Sequence, residues 1–265
     1  MSNIVTIGNY GEMQMKVLAF NSSPNMEKGN TALILNPFLK GMKEAGAEID
    51  LFNTKKLKIN PCQADYACIM KTHGKCIQQD DMQTIYPKLK EADIIVFATP
   101  LYFDGMTATM KTLIERLWLP SGNPFLELRH GRVRHPVRQD KEAKKAKMVL
   151  VSNCGFWEIE NFATLVAHMK AICENTYLEF AGALLRPHGP TLGMMLKMGA
   201  PVQDVLEAAE EAGHQLVTEG KISEKTLSIV SRELIPLTDY IQRHNQRIKQ
   251  FVEMMNKAAP AGLVK

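Results

Sequence analysis

At 265 residues and 45% hydrophobic content, the chain is long enough for one large α/β domain with appended helices. It has no run approaching the roughly 20 apolar residues of a membrane span, and a net charge of +4 is too small to point to nucleic acid. Five cysteines, an odd number, follow an N-terminus with no basic-then-apolar leader, so they read as thiols or metal ligands of a cytoplasmic protein rather than a disulfide frame.

Residues 1–14 read as a short extension. Met15 to Phe20 is a compact apolar run, expected to form a strand covered on both faces. The turn residues Asn21-Ser22-Ser23-Pro24-Asn25 break it, and Gly29-Asn30-Thr31 leads into a first helix over about 31–45. Glu48 to Phe52 reads as the second strand. Residues 56–81 are irregular and carry Cys62, Cys68 and Cys76. A short helix is expected over 82–91, and 92–99 is the clearest buried strand of the chain. It ends in Pro100-Leu101-Tyr102-Phe103-Asp104-Gly105, before a helix over about 107–118. A basic insertion follows. Residues 129–147 hold eight basic side chains against two acidic ones, a local balance of +6. It reads as a solvated linker, or as a docking surface for an anionic partner or for NADPH phosphates. The next strand, 147–152, ends in Asn153-Cys154-Gly155-Phe156-Trp157. A helix over about 160–175 leads to a last strand near 179–185. Beyond Pro190 the pattern turns helical, with amphipathic stretches at 201–219, 223–232 and 236–257, the middle one started by Ser223. The expected division is therefore 1–14, 15–190 and 191–265, the last packed on the same domain.

Alternation of strands and helices is the signature of a doubly wound parallel sheet. In the five-strand order 2-1-3-4-5, ligands bind beyond the carboxyl ends of the strands, between strands one and three. Loops 21–31, 99–106 and 152–158 meet at that edge. The first is an anion site by composition: Ser22, Ser23, Asn25, Asn30 and Thr31 add donors to the positive end of a helix. It lacks both the dinucleotide glycine fingerprint and the phosphate-loop lysine, which suits a phosphate monoester such as that of FMN. An ordinary capped turn would use the same residues. For a flat flavin ring, Tyr102, Phe103, Phe156 and Trp157 offer aromatic surface, beside Pro100 and Asn153. The backbones around Leu101, Cys154 and Gly155 offer hydrogen bonds. Cys173 reads as core. His188, after the last strand, is either a polar site residue or a structural histidine.

The segments SSPNMEKGNT and TPLYFDGMTATMKTLIER resemble the flavin loops of the NADPH-dependent FMN reductase branch of flavodoxin-like proteins. The family's first loop reads roughly Gly-Ser-Pro-Arg, then Gly-Asn-Thr. Here Ser22 stands for the Gly and Asn25 for the Arg, while Ser23, Pro24, Gly29, Asn30 and Thr31 match, as do Pro100, Tyr102 and Lys111 in the second segment. The resemblance spans about residues 15–185. It implies a flavodoxin-like fold, bound FMN, and NAD(P)H as co-substrate with hydride passing through flavin N5. The acceptor would be a small molecule such as quinone or free flavin, and no general acid or base is assigned. Assembly as a homo-oligomer is expected.

The segment PCQADYACIMKTHGKCIQQDDM resembles the cluster motif of iron–sulfur flavoproteins in the same superfamily. Cys62, Cys68 and Cys76 fall on three of its four cysteine positions, and Asp65 takes the other. A four-iron cluster wants four thiolates, so a structural loop is the leading reading. A cluster is the alternative, which would make the chain an electron carrier for a protein partner, and zinc ranks below it.

Overall fold

The computed structural model describes residues 14–72, 74–117, 123–136 and 145–258. The strands among them are β1 (Lys16–Asn21), β2 (Glu48–Asn53), β3 (Ile94–Pro100), β4 (Glu127–Arg129), β5 (Arg132–Arg134), β6 (Lys147–Asn153) and β7 (Glu179–Arg186). The helices are α1 (Asn30–Glu44), α2 (Ala67–Met70), α3 (Met82–Glu91), α4 (Ala108–Leu117), α5 (Ala163–Thr176), α6 (Gly189–Lys197), α7 (Gln203–Thr218), α8 (Glu224–Ser231) and α9 (Leu237–Ala258). Five strands make one parallel sheet in the order β2-β1-β3-β6-β7, the doubly wound order expected from the alternation. β3 is buried at every residue, because neighbours on both sides and helices on both faces leave it no solvent.

Two apolar clusters cover the two faces of the sheet. One joins Val17, Ala19, Val96 and Val149 to Leu35 and Phe38 of α1 and to Val205, Ala209 and Leu216 of α7. The other joins Leu18, Phe20, Phe97 and Leu150 to Ile85 of α3, Leu113 of α4 and Leu165 of α5. α1 and α7 meet through glycines. A Cβ on Gly41 would stand 1.9 Å from the Glu210 carbonyl oxygen, and one on Gly213 would stand 2.0 Å from that of Phe38. α7, with Ile222 and Val230 beyond it, therefore shares the sheet's own core.

Three features go beyond the sequence reading. The basic insertion holds an antiparallel hairpin, β4–β5, with Leu128 opposite Val133. Its Arg129 stacks 3.6 Å over the Tyr177 ring and donates to the Glu174 carbonyl, so the hairpin sits where α5 ends and β7 begins. That edge is opposite the three loops, so within one chain these arginines do not reach the ligand edge; the rest of the basic run, 137–144, lies outside the described residues. The methionine-rich piece at 194–198 is mostly helical, within α6, where Pro190 occupies the first turn and its fixed φ favours a helix start. β7 slips register against β6 near Met148, where Gly182 has φ +142°. Expectations for residues 1–13 and for the tail beyond 258 also lie outside the described residues.

Candidate functional site

The first loop leaves β1 with three buried polar residues. Asn21 Oδ1 accepts from the Ser23 N–H at 3.0 Å, while the Ser22 N–H and hydroxyl both donate to the Ala98 carbonyl, at 2.8 and 3.2 Å. This ties the loop to β3. Ser23 Oγ stands where a Cβ on Gly29 would come within 2.3 Å, so the glycine lets the hydroxyl approach the start of α1. That helix begins with no side-chain cap and no acidic residue in its first turn. Its leading N–H groups therefore offer the positive end of the dipole to an anion. Thr31 is buried, and its Oγ1 accepts from Asn153 Nδ2 at 2.6 Å. The Thr31 hydroxyl keeps its own hydrogen to donate. Asn25 is exposed and caps nothing. Asn30 Oδ1 lies against Gly193 of α6, not within the loop. Sequence reasoning missed Lys55, whose Nζ donates to the Pro24 carbonyl at 2.9 Å. It follows the neighbouring strand β2 and brings a cation to the loop where the family's typical Arg is Asn25. The only sequence signal was a lysine just past the second strand.

The second loop leaves β3 through buried Pro100. Leu101 N–H donates to the Asn153 carbonyl at 2.8 Å, and Tyr102 and Gly105 exchange backbone hydrogen bonds of 2.9 and 3.1 Å. The two residues between them, Phe103 (φ +47°) and Asp104 (φ +58°), are both left-handed. That is the geometry of a tight mirror-image turn, and it is strained for phenylalanine. It leaves Tyr102 half exposed and Phe103 fully exposed.

In the third loop, three successive carbonyls are held by the C-terminal part of the chain. Cys154 O accepts from the Gly189 N–H at 2.9 Å, Gly155 O from the Tyr240 hydroxyl, and Phe156 O from the His188 N–H at 2.6 Å. In a trans peptide the N–H points opposite to the carbonyl, so the donors of the peptides after Gly155 and Phe156 turn away from these anchors. Phe156 is exposed beside this loop's glycine, whereas Cys154 is buried and burial pushes its thiol pKa up. Trp157 departs from expectation. Its ring stacks on His188 and its Nε1 donates to the Ile235 carbonyl at 2.9 Å, so it faces the C-terminal segment.

His188 is structural. It is fully buried, and its Nε2 accepts from the Leu234 N–H at 3.1 Å and lies 3.2 Å from Arg186 Nη2. Both are donors, so the ring is neutral with its hydrogen on Nδ1. Burial, aided by the Arg186 charge, pushes its pKa down to about 4. Arg186 is buried too. It donates to the carbonyls of Val230 (2.6 Å) and Arg232 (2.6 Å) at the end of α8, where the helix dipole is negative. Burial lowers its pKa to about 10.

The cysteine segment is built differently. Cys62 is exposed, Cys68 and Cys76 are half-buried, and all three are free thiols. Among the described residues, no group of three His, Cys, Asp or Glu side chains is arranged to hold a metal ion. Asp65 Oδ1 accepts from the Ala67 N–H at 2.9 Å at the start of α2, so this carboxylate is already spent on a turn. The Cys68 thiol pKa is raised, by burial first and then by Cys76, Cys62 and Asp65 nearby. The segment's firm point is Arg116 of α4. It pairs with Asp80 at 2.8 Å, donates to the Asn60 carbonyl at 2.6 Å and reaches Cys76 Sγ at 3.4 Å. As arranged, these side chains do not fit an iron–sulfur cluster.

Residues 15–137 match the model of a family described as NADPH-dependent FMN reductase. Over this segment, less than half of its length, the chain is similar to that family. It takes in the first two loops and the cysteine segment. An iron-sulfur flavoprotein of Archaeoglobus fulgidus is 39% identical over 102 residues, which are 38% of this chain and 48% of that protein. One from Methanocaldococcus jannaschii is 40% identical over 103 residues, 38% of this chain and 50% of its own. The chain spans about half the length of the curated relatives it matches. Among solved structures, an NAD(P)H:quinone oxidoreductase from Methanothermobacter marburgensis aligns at TM-score 0.54 and 16% identity, over 77% of this chain and 97% of its own. That likeness establishes the flavodoxin-like fold. Among the described residues no helix is long and apolar enough to cross a membrane.

Proposed function

We propose that this chain is an FMN-dependent NAD(P)H oxidoreductase acting on a small acceptor such as a quinone or free flavin. The observation that carries the reading is the first loop. An uncapped helix start, the close approach of Ser23 to Gly29, and a Thr31 hydroxyl tied to Asn153 bring loops one and three together at the switch point of the sheet. In this reading Ser22, Ser23, Asn25, Asn30 and Thr31 belong to the phosphate side, with Lys55 supplying charge. Pro100, Leu101, Tyr102 and Phe103 edge the ring, and Asn153, Cys154, Gly155 and Phe156 line its pyrimidine edge, where the N–H groups of the peptides after Gly155 and Phe156 are the donors. Residues 15–190 are the flavin-binding part, 191–265 a helical extension, and the protein works as a homo-oligomer.

Bound FMN would supply hydride chemistry; the chain's own residues place it and leave the aromatic edge open to the nicotinamide and then the acceptor. The net reaction takes a hydride from NAD(P)H and a proton from water, oxidises the nicotinamide and reduces a quinone to its hydroquinone. NAD(P)H oxidation with benzoquinone as acceptor tests this. FMN-dependent turnover is expected; FMN-loaded protein that oxidises neither NADH nor NADPH would overturn the enzymatic reading.

A further inference from the structure

α9 is surface-exposed along almost its whole length. It touches the rest of the chain near its start and middle, through Tyr240 on Gly155 and His188 and through Arg247 Nη2 beside Met194 Sδ at 2.7 Å. Its apolar side chains Leu237, Ile241, Ile248, Phe251 and Met255 are between 36% and 53% exposed. With His244 in line, they succeed one another at steps of 4, 3, 4, 3 and 4 residues. A straight helix of 3.6 residues per turn lets such a stripe drift, whereas a strict 3.5 repeat marks the seam of a supercoiled pair. A helix of this length depends on burying an apolar face more than on intrinsic propensity, and here that face is uncovered.

We propose that α9 pairs with α9 of a second copy in a two-fold, antiparallel coiled coil. This rests on the homo-oligomer of the proposed function and is independent of FMN. The exposed halves of the seam and of Val252 and Met254 beside it amount to roughly 700 Å² per copy, close to the ~800 Å² per partner of a stable interface. Seam-flanking positions suit an identical partner: Thr238, Asn245 and Val252 on one side, Tyr240, Arg247 and Met254 on the other, with one charge among six. Antiparallel packing sets Ile248 against the second copy's Phe251 and His244 against its Met255, keeping the two imidazoles apart. The helix carries four basic against two acidic side chains over 237–258, a weak attraction for anionic lipid. Because Tyr240 holds the Gly155 carbonyl, pairing also braces the helix that positions the third loop.

Sedimentation velocity on the full chain at micromolar concentration tests the pairing, with circular dichroism to verify folding and FMN titration as a separate readout. Wild type is expected at an even multiple of 29.7 kDa, and Ile248→Asp with Phe251→Asp is expected to halve the number of copies. Lys249→Asp, off the seam, should leave the mass unchanged. A wild-type monomer at tens of micromolar, or a folded seam variant of wild-type mass, would overturn the pairing. So would a monomer that binds phosphatidylserine vesicles through α9. Wild-type protein of the expected mass that fails to bind FMN would count against the flavin reading alone.

Discussion

The first loop and the cysteine segment follow successive strands of one sheet, yet they are built in opposite ways. Around the first loop, Asn21, Ser22, Ser23, Thr31 and Asn153 are all buried, and Ser22 bonds across to β3 while Thr31 and Asn153 tie loops one and three together. Positions of donors are thereby set before any ligand arrives, which cuts the ordering cost of binding. In the cysteine segment, Cys62 faces solvent and Asp65 is committed to the local turn. Its most buried anchor is a distant arginine, Arg116, which pairs with Asp80. One region has its donors set in advance. The other is a loop bonded mostly to itself and pinned to the domain by Arg116.

The largest effect expected from this difference is at that pin. Arg116 and Asp80 are both nearly fully buried. Burial opposes the charge of Asp80, but Arg116 and the backbone donors of Asn60 and Met82 hold its pKa below the usual carboxylate range. Arg116→Met would leave a buried carboxylate unpaired, at a cost of about 3–5 kcal/mol. Urea unfolding should show that loss while FMN affinity of the folded fraction is retained; unchanged stability would mean the pin is not needed.

Next comes Thr31→Val, which removes a phosphate donor and strands Asn153 Nδ2. Losing a charge-assisted hydrogen bond costs about 1.5–3 kcal/mol, roughly a ten- to hundred-fold weaker FMN complex. Fluorescence titration reads it, and wild-type affinity would remove Thr31 from the site. A smaller effect is expected of Lys55→Ala, an exposed charge beside the loop: a few-fold weaker FMN binding that disappears as salt is raised. A loss insensitive to salt would assign Lys55 a structural role instead. Cys68→Ser should change least, leaving FMN content and NAD(P)H oxidation near wild type. Stoichiometric iron and sulfide in anaerobically prepared protein, lost in this variant, would reverse the contrast between the two regions.

Much of the scaffold was legible in the sequence. Apolar runs such as 94–98 have one use in an α/β chain, and a polar loop between the first strand and helix marks the ligand edge. The residue types of the first and third loops were readable, but their directions were not: Asn30 turns to α6, and Trp157 turns inward to His188, because an aromatic at a strand end can face either way. Lys55 is adjacent to Pro24 only in space. The purpose of Gly41 and Gly213 appears only where the two helices touch. The β4–β5 hairpin was hidden by its charge, since a run of arginines reads as solvated linker whatever its backbone does. The clamp of Arg186 and His188 was out of reach for a related reason: its partners are main-chain carbonyls and amides, which leave no trace in side-chain pattern.

The central claim is that the loop edge between β1 and β3 is an FMN site reducible by nicotinamide. Anaerobic titration of the full chain with FMN, followed by NADPH and NADH, tests it most directly. The account predicts saturation near one FMN per chain and bleaching of the bound flavin's blue absorption band by at least one nicotinamide. Absence of stoichiometric FMN binding by folded protein would contradict it.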